Sequence, residues 1–410
     1  MSLDEDFTPP FRSVFKYYKR RQPPPDLSAV IDFHSTKSHL SNPSIRVNEY
    51  PLPVPNAATD AQCRNVGLKP IAQWQCYTIE KFPGFIYIRN PFLNCGQRYW
   101  IKRCLKNFHT YPSKTNLDAQ YSFGVDENLW NISHYCCGNS TKGKEVVTKH
   151  RNDLMDKLRW TTLGYHYDWS TKEYYHNRKS EFPTDLAELT KLLAATVGFP
   201  LFSPEAAIIN YYKLDSTLSG HTDHSEFDFT APLFSISFGQ KAIFLLGGRT
   251  TSVTPVAMYI ESGDICIMSG ESRLAYHAVP RIILEERNSC SNLQDGLQCE
   301  CGHTINYFDY PCCEDCRLQN VLKNSDYSDV VASDQLMEIN SSDATSTILS
   351  DRIDNYTSPV LSLNHDCNSL QTLWTSFNNY LLGGRINMNV RQVLPVNGKF
   401  PIKVASLPQV

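Results

Sequence analysis

His221-Thr222-Asp223 carries the sharpest chemical signal in the sequence. Along an extended strand, residues two apart project to the same side, so this imidazole and carboxylate can converge on one metal ion. The same tripeptide also arises in strands that bind nothing, and a second imidazole is needed to give it meaning. His277, within Ser272-Arg273-Leu274-Ala275-Tyr276-His277-Ala278-Val279-Pro280-Arg281, stands where a later strand of the same barrel would supply one. Two imidazoles and one carboxylate on one face of an octahedral ion form the facial triad of non-haem Fe(II) oxygenases, which leaves three positions for cosubstrate and oxygen.

A second pattern lies near the C-terminus. Arg385-Ile386-Asn387-Met388-Asn389-Val390-Arg391 alternates Arg, Asn, Asn and Arg on one face with Ile, Met and Val on the other. An amphipathic surface strand with solvated arginines would alternate in the same way. Inside a barrel, however, two guanidinium groups flanking two amides suit a dicarboxylate, because guanidinium binds carboxylate bidentately. Asn210 and Tyr212 share a face one strand earlier and offer two further hydrogen bonds. A metal triad beside a dicarboxylate site implies 2-oxoglutarate.

These residues need a rigid frame. After Pro204 the texture is one of short strands: Ala206–Tyr212, Leu233–Phe238, Ala242–Leu246, Val256–Ile260, Asp264–Met268 and Arg385–Leu394. Turn signals such as Gly247-Gly248 and Ser262-Gly263-Asp264 separate them, and such closely spaced strands suggest an antiparallel barrel or jelly roll. Upstream, Pro183-Thr184-Asp185 opens a helix, with Asp185 and Glu188 spaced as a capping pair. Leu186, Leu189, Leu193 and Val197 fall on one face of that helix, and Gly198 is its expected stop. A further helical pattern surrounds Trp100, Ile101, Cys104 and Leu105.

The patch Phe15-Lys16-Tyr17-Tyr18-Lys19-Arg20-Arg21 before Pro23 reads as an amphipathic helix ended by prolines, with a phosphate-binding arm as the alternative. Ile31 to Asn65 is polar and Pro-rich and reads as a linker. The expected divisions are an N-terminal helix and linker (1–66), a support and nucleotide-recognition region (67–203), a jelly-roll core (204–284 with 381–401) and an acidic insertion (285–380).

Composition narrows the classes. The 410 residues are 41% hydrophobic and 20% charged, which excludes wholesale disorder and fibrous architecture. No apolar run reaches the length needed to cross a bilayer, and no membrane partner is expected. Met1-Ser2-Leu3-Asp4-Glu5-Asp6 is acidic, against a secretory signal and without a clean mitochondrial address. The 14 cysteines are scattered, as in a reducing compartment. The net charge of −3 is uneven: residues 285–380 hold 15 acidic against 4 basic residues, so the remainder is mildly basic and suits a polyanion. Within the insertion, Cys299-x-Cys301-x-His303 and Cys312-Cys313-x-x-Cys316 offer enough ligands for a structural Zn(II), although their spacing is unlike common zinc fingers. Another basic run, Lys142 to Arg159, precedes Trp160 and an aromatic stretch ending at Trp169, a half-buried strand or a surface for nucleic acid.

Asn210-Tyr211-Tyr212, His221-x-Asp223, His277 and Arg385-x-Asn387-x-Asn389-x-Arg391 together resemble the AlkB-type Fe(II)/2-oxoglutarate dioxygenases of nucleic acids. Leu214-Asp215-Ser216-Thr217-Leu218, the run from Ser237 to Gly248, Ser262-Gly263-Asp264-Ile265, Leu158-Arg159-Trp160 with Gly164-Tyr165-His166-Tyr167, and Pro83-Gly84-Phe85-Ile86 with Asn90-Pro91-Phe92-Leu93 are similar to the AlkB homologue one branch. The resemblance spans residues 10–284 and 381–401. It implies a mainly β fold with α elements, a double-stranded β-helix (jelly roll) core. Fe(II) would be held by His221, Asp223 and His277. Arg385 would pair with the distal carboxylate of 2-oxoglutarate, Arg391 would lie near its chelating end, and Asn210, Tyr212 and Asn387 would complete that site. Trp130, Tyr165, His166 and Tyr167 match the branch's substrate-facing region. Asn389 stands where the family usually has Thr. Where bacterial members carry a base-reading acid two residues after the metal Asp, this chain has Ser225, followed by Glu226.

The implied chemistry is oxidation of a nucleobase methyl group by O₂ with decarboxylation of 2-oxoglutarate. In tRNA this means 1-methyladenosine demethylation, or conversion of 5-methylcytosine towards 5-formylcytosine. N6-methyladenine in DNA is the runner-up, a lyase cleaving DNA at abasic sites a rival of another class, and a binding module or protein hydroxylase further alternatives. The resemblance also suggests the nucleus or mitochondrion, with the cytoplasm open, and a monomer is expected.

Overall fold

The structure, a computed structural model, describes residues 8–35, 45–125, 127–135, 154–285 and 376–400. Helix α1 spans Pro10–Lys19, followed by β1 (Val47–Glu49), α2 (Asp60–Asn65), β2 (Gln75–Ile79), β3 (Phe85–Arg89) and α3 (Asn94–Lys102). Next come β4 (Lys114–Thr115), α4 (Leu129–Tyr135), α5 (Leu154–Lys157), β5 (Trp160–Gly164) and α6 (Thr184–Thr196). The remaining strands are β6 (Ala206–Lys213), β7 (Leu218–His221), β8 (Leu233–Gly239), β9 (Ala242–Leu246), β10 (Val256–Ile260), β11 (Ile265–Met268), β12 (His277–Ile282) and β13 (Gly384–Arg391).

They form a nine-stranded sheet ordered β1-β2-β3-β11-β8-β13-β6-β5-β4 and a four-stranded sheet ordered β10-β9-β12-β7. All the paired strands are antiparallel. Strands from the middle of the chain alternate between the two sheets, so neither can pair fully without the other: this is the jelly roll that the strand spacing predicted. Between the sheets lies an apolar core that includes Phe85, Tyr87, Leu233, Phe244, Leu246, Met258 and Met268. A second core, with Trp100, Leu105, Leu186, Leu189 and Leu193 among its members, packs the helices onto the wider sheet. Three of the four leucines of α6, Leu186, Leu189 and Leu193, are fully buried, each contributing roughly 2 kcal/mol. Gly198 follows that helix at φ 96°, the left-handed conformation that favours glycine.

Two expectations need correction. Asp185 does not cap α6, whose N-cap is Pro183 without a side-chain bond. Its carboxylate accepts hydrogen bonds from Arg103 Nε (2.7 Å) and Tyr99 Oη (2.6 Å) and, within the first turn, from the Leu186 backbone N–H (2.9 Å), so it ties α6 to the Arg103 segment rather than closing a box with Glu188. Nor is the Pro-rich stretch from Ile31 to Asn65 a linker in its described parts. Ile31 bridges to Met258, Phe33 stacks on Tyr87 at 4.0 Å, and His34 Nε2 bonds the Asp264 carboxylate at 3.0 Å. β1 adds an edge to the wider sheet, and α2 begins with a Thr59–Gln62 capping box. A few well-placed apolar residues anchor this segment, and an averaged composition hides them. The insertion beyond Glu285, with Cys299, Cys301, His303, Cys312, Cys313 and Cys316, lies outside the described residues, as does most of the basic run from Lys142.

Burial also builds in acid sensitivity. His109 is enclosed in the helical core, its Nε2 bonded to the Leu105 carbonyl at 2.8 Å, and desolvation pushes its pKa down to about 4. The unfolded chain therefore takes up a proton near pH 6.5 that the folded chain refuses until about pH 4. Stability is lost as pH falls through that window, by about 2 kcal/mol from this group at pH 5. Melting curves between pH 7.5 and 4.5 are expected to show a shallower acid decline for His109→Gln than for the wild type. Parallel declines would remove His109 as a cause.

Candidate active site

β7 is the edge of the smaller sheet and ends on His221; Asp223 lies just beyond it, past the regular strand that the sequence suggested. β12 begins on His277, which the register sets opposite His221 on one side and Leu246 on the other. The two imidazole centroids are 4.3 Å apart. One ligand atom from each of His221, Asp223 and His277 lies within 4.8 Å of the others. Both rings are oriented alike. Nδ1 of His221 meets the Ser219 carbonyl at 3.0 Å, and Nδ1 of His277 meets the Ala275 carbonyl at 3.1 Å. A carbonyl only accepts, so each Nδ1 carries the proton and each Nε2 presents a lone pair. Those Nε2 atoms lie 4.0 and 3.9 Å from the Asp223 carboxylate. Burial, with His221 alongside, pushes His277 down to about 4, which keeps it a neutral ligand at physiological pH.

Behind the triad is a buried charge network. Burial alone would raise the Asp223 pKa, but Arg391, His277 and His221 hold it well below the usual carboxylate range. Arg391 donates from Nη2 to Asp223 Oδ2 (2.9 Å) and pairs through Nε with Glu226 (3.2 Å). Arg273 pairs with the other Glu226 oxygen at 3.0 Å and donates to the Asp223 carbonyl at 2.8 Å. Glu226 is thus tied to two arginines and is not free to read a base.

Arg385 and Arg391 lie on the cavity face of β13, as the alternation implied. The register sets Arg385 against Tyr212 and Asn387 against Asn210. The Arg385 guanidinium donates to the carbonyls of Gln240 (2.8 Å) and Ile260 (3.0 Å) and to Ser237 Oγ (2.6 Å). It is 3% exposed, and among the described residues it forms no ion pair with a carboxylate. Asn387 donates to Ser235 Oγ at 2.8 Å, and Asn389 donates to Asn387 at 2.7 Å, so Asn389 serves as a hydrogen-bonding group in this row.

A cavity of ≈ 350 Å³ joins the two halves, lined by the triad, Asn210, Tyr212, Arg385, Asn387 and Arg391. Its chemistry fits an Fe(II) ion with a dicarboxylate. Two Nε2 lone pairs and a carboxylate converge, Arg385 is a buried cation lacking an anionic partner, and Arg391 Nη1 is buried with no hydrogen-bond partner among the described residues.

Of the residues expected to face substrate, Tyr167 lines the cavity, where it accepts a hydrogen bond from Ser225 at 3.3 Å. Trp130 is instead core: it is 1% exposed and packs on Phe377 at 4.6 Å. Tyr165 and His166 are not among the lining residues. Tyr165 packs against Phe400 and Lys179, and His166 bonds Thr162 at 2.9 Å. A one-residue step along an extended chain reverses the side chain, which turns His166 away from Tyr167, whereas Tyr165 is taken up by Phe400 and Lys179. The sequence reading missed Ser235 and Ser237, although the run Leu233-Phe234-Ser235-Ile236-Ser237-Phe238 carries a period-two polar signal. Trp169, which it named only as the end of the aromatic stretch, is half-exposed at the cavity and in contact with Tyr167. The pairing of Arg273 with Glu226, distant in sequence, leaves no such signal.

A family profile described as the 2OG-Fe(II) oxygenase superfamily matches residues 84–304. Nucleic acid dioxygenase ALKBH1 of Mus musculus is 44% identical over 285 residues, 68% of this chain and 72% of that protein. DNA N(6)-methyladenine demethylase ALKBH1A of Arabidopsis thaliana is 33% identical over 316 residues, 71% of this chain and 86% of that one. The tRNA demethylase abh1 of Schizosaccharomyces pombe is 37% identical over 225 residues, covering 53% and 73%. A double-stranded β-helix built around this site defines an Fe(II)- and 2-oxoglutarate-dependent dioxygenase. The chain belongs to that superfamily and, within it, to the AlkB family on the ALKBH1 branch.

Proposed function

We propose that this dioxygenase oxidises methyl groups on nucleobases of tRNA, removing the methyl of 1-methyladenosine or taking 5-methylcytosine towards 5-formylcytosine. In this reading His221, Asp223 and His277 hold Fe(II). Arg385 takes the distal carboxylate of 2-oxoglutarate with Tyr212 alongside, and Arg391 offers its unpaired Nη1 near the chelating end. When bound, Fe(II) and 2-oxoglutarate supply with O₂ the oxidising power that converts a methyl C–H bond to C–OH, yielding succinate and CO₂. An N-hydroxymethyl group then releases formaldehyde, whereas a C-hydroxymethyl group persists or is oxidised again.

The chain's own residues prepare that chemistry. The Ser219 and Ala275 carbonyls fix the imidazole tautomers, and Arg391 and Arg273 hold the Asp223 segment at the right depth. Apolar walls from Leu233, Phe244 and Met268 restrict water. Tyr167 and Trp169 flank the substrate side, and a folded RNA must expose its base to reach it, at a cost of a few kcal/mol. The observation that carries the nucleic-acid reading is the union of this site with high identity to a relative named a nucleic acid dioxygenase. The yeast relative's name supports tRNA, and the plant relative's name supports N6-methyladenine in DNA as a second reading. A monomer acting in the nucleus or mitochondrion completes the proposal.

The test is incubation of the full chain with tRNA, Fe(II), ascorbate and 2-oxoglutarate, followed by mass spectrometry of the nucleosides. Loss of 1-methyladenosine or gain of 5-formylcytosine is expected with the wild type and not with Asp223→Ala. Unchanged tRNA alongside demethylation of N6-methyladenine oligonucleotides would transfer the assignment to DNA. Cleavage at abasic sites that persists in a chelator would instead favour a lyase.

A further inference from the structure

The N-terminal helix reaches the back of the metal site through one side chain. Phe11, 2% exposed, lies on the outer face of the smaller sheet, where Gly220 and Gly247 leave it room. A Cβ at Gly220 would stand 2.6 Å from the Phe11 ring, and one at Gly247 would stand 2.7 Å from the opposite edge of that ring. Tyr276 approaches the same ring, with centroids 5.9 Å apart. Gly220, Tyr276 and Gly247 directly adjoin His221, His277 and Leu246. Alternation along a strand therefore sets the two imidazoles on the inner face of the strands whose outer face Phe11 covers.

The need for such support is visible in β7. It is an edge strand of four residues, paired among the described residues only with β12, and the pairing slips between His277 and Val279. Its middle residues are exposed. Few cross-strand bonds thus fix His221, while His277 sits in an interior strand held on both sides. Phe11 is itself fixed by its backbone N–H, which donates to the Thr251 carbonyl at 3.1 Å. At the same end, Arg21 Nη2 reaches the Leu214 carbonyl at 2.8 Å, just ahead of β7.

We propose that Phe11 is a positioning residue for the iron centre, a wedge that presses β7 onto β12 and keeps the His221 and His277 Nε2 atoms at chelating separation. This rests on the assignment of His221, Asp223 and His277 as ligands. Removing the ring leaves a gap behind the edge strand, so His221 samples positions that cannot bind together with His277. Supporting groups around a metal typically contribute 10- to 100-fold in affinity.

The experiment is Mn(II) titration of the full chain in the presence of 2-oxoglutarate, followed by electron paramagnetic resonance. Phe11→Ala is expected to raise the Kd for Mn(II) about 10-fold or more, with Phe11→Leu, which keeps most of the apolar volume, within about 3-fold of wild type. Phe11→Val should fall between them and serves if the Ala variant does not fold. Tyr18→Ala is the comparison: Tyr18 is buried on the same helix, but against the β10 side of the sheet near Val256 and Ala257. It is expected to lower the melting temperature without moving the Kd. A wild-type Kd in the Val and Ala variants, or an equal shift from Tyr18→Ala, overturns the wedge. Asp223→Ala separates the two levels. An unchanged Kd there overturns the ligand assignment, whereas its loss beside an unaffected Phe11 series rejects Phe11 alone.

Discussion

Asp223→Ala is expected to lower 2-oxoglutarate turnover on the order of 10³-fold, equivalent to about 4 kcal/mol of transition-state stabilisation. The carboxylate faces both imidazoles at 4.0 and 3.9 Å and supplies the only anionic oxygen among the converging ligand atoms. Its removal leaves two neutral nitrogens, which bind a divalent oxygen-seeking ion poorly. The loss also has a structural side. Arg391 would lose its Nη2 partner while Nη1 is already unpaired, leaving Glu226 as its remaining anionic partner. Asp223→Asn should separate the effects, because an amide oxygen still accepts from Arg391 but brings no charge to the metal. The Asn variant is therefore expected to melt closer to wild type and still to turn over poorly. Succinate formation, iron content and melting curves on the same preparations decide this. Turnover of Asp223→Ala within 10-fold of wild type would remove Asp223 from the ligand set.

How much of this was legible in sequence depends on the distance over which each signal acts. The triad and the β13 row are written in period-two spacing, a local property, although the strands holding His221 and His277 had no bounds from sequence and β13 ends at Arg391 rather than Leu394. Tyr212 and Asn210 could be matched to Arg385 and Asn387 because each pair lies on a predictable strand face. Side chains whose role depends on a partner far along the chain were read differently. Glu226, a residue after the position that varies in the family, is absorbed by Arg273 and Arg391; nothing around it in sequence announces two arginines. Trp130 was expected to face substrate only through the resemblance to the branch, yet its neighbour is Phe377, almost 250 residues further along the chain. Asp185 likewise takes Arg103 and Tyr99, more than 80 residues away, as partners while still accepting from the Leu186 N–H. Phe11 is the extreme case: its significance lies in two glycines more than 200 residues away, one on β7 and one just past β9, where a missing side chain is the signal.

Arg385→Met should raise the KM for 2-oxoglutarate on the order of 100-fold, about 3 kcal/mol, while kcat at saturation falls far less. The guanidinium lies away from the metal ligands on the row and, among the described residues, bonds only neutral oxygens of Gln240, Ile260 and Ser237. Burial lowers its pKa, so the free protein carries an unfavourable buried cation that an incoming carboxylate would neutralise. Two consequences distinguish it from Arg391. In Arg385→Met, relief of that desolvation offsets the lost hydrogen bonds, and the melting temperature without cosubstrate is expected to move little. In Arg391→Met, Asp223 and Glu226 lose a shared buried partner, a deficit typically of about 3–5 kcal/mol, so the protein itself should lose stability. Arg385→Lys tests the geometry: a single ammonium keeps the charge but cannot present the planar fork to a carboxylate, so only part of the affinity should return. An unchanged KM in Arg385→Met would place the distal carboxylate elsewhere in the cavity. A collapse in melting temperature equal to that of Arg391→Met would make Arg385 a structural cation with no vacancy for a dicarboxylate.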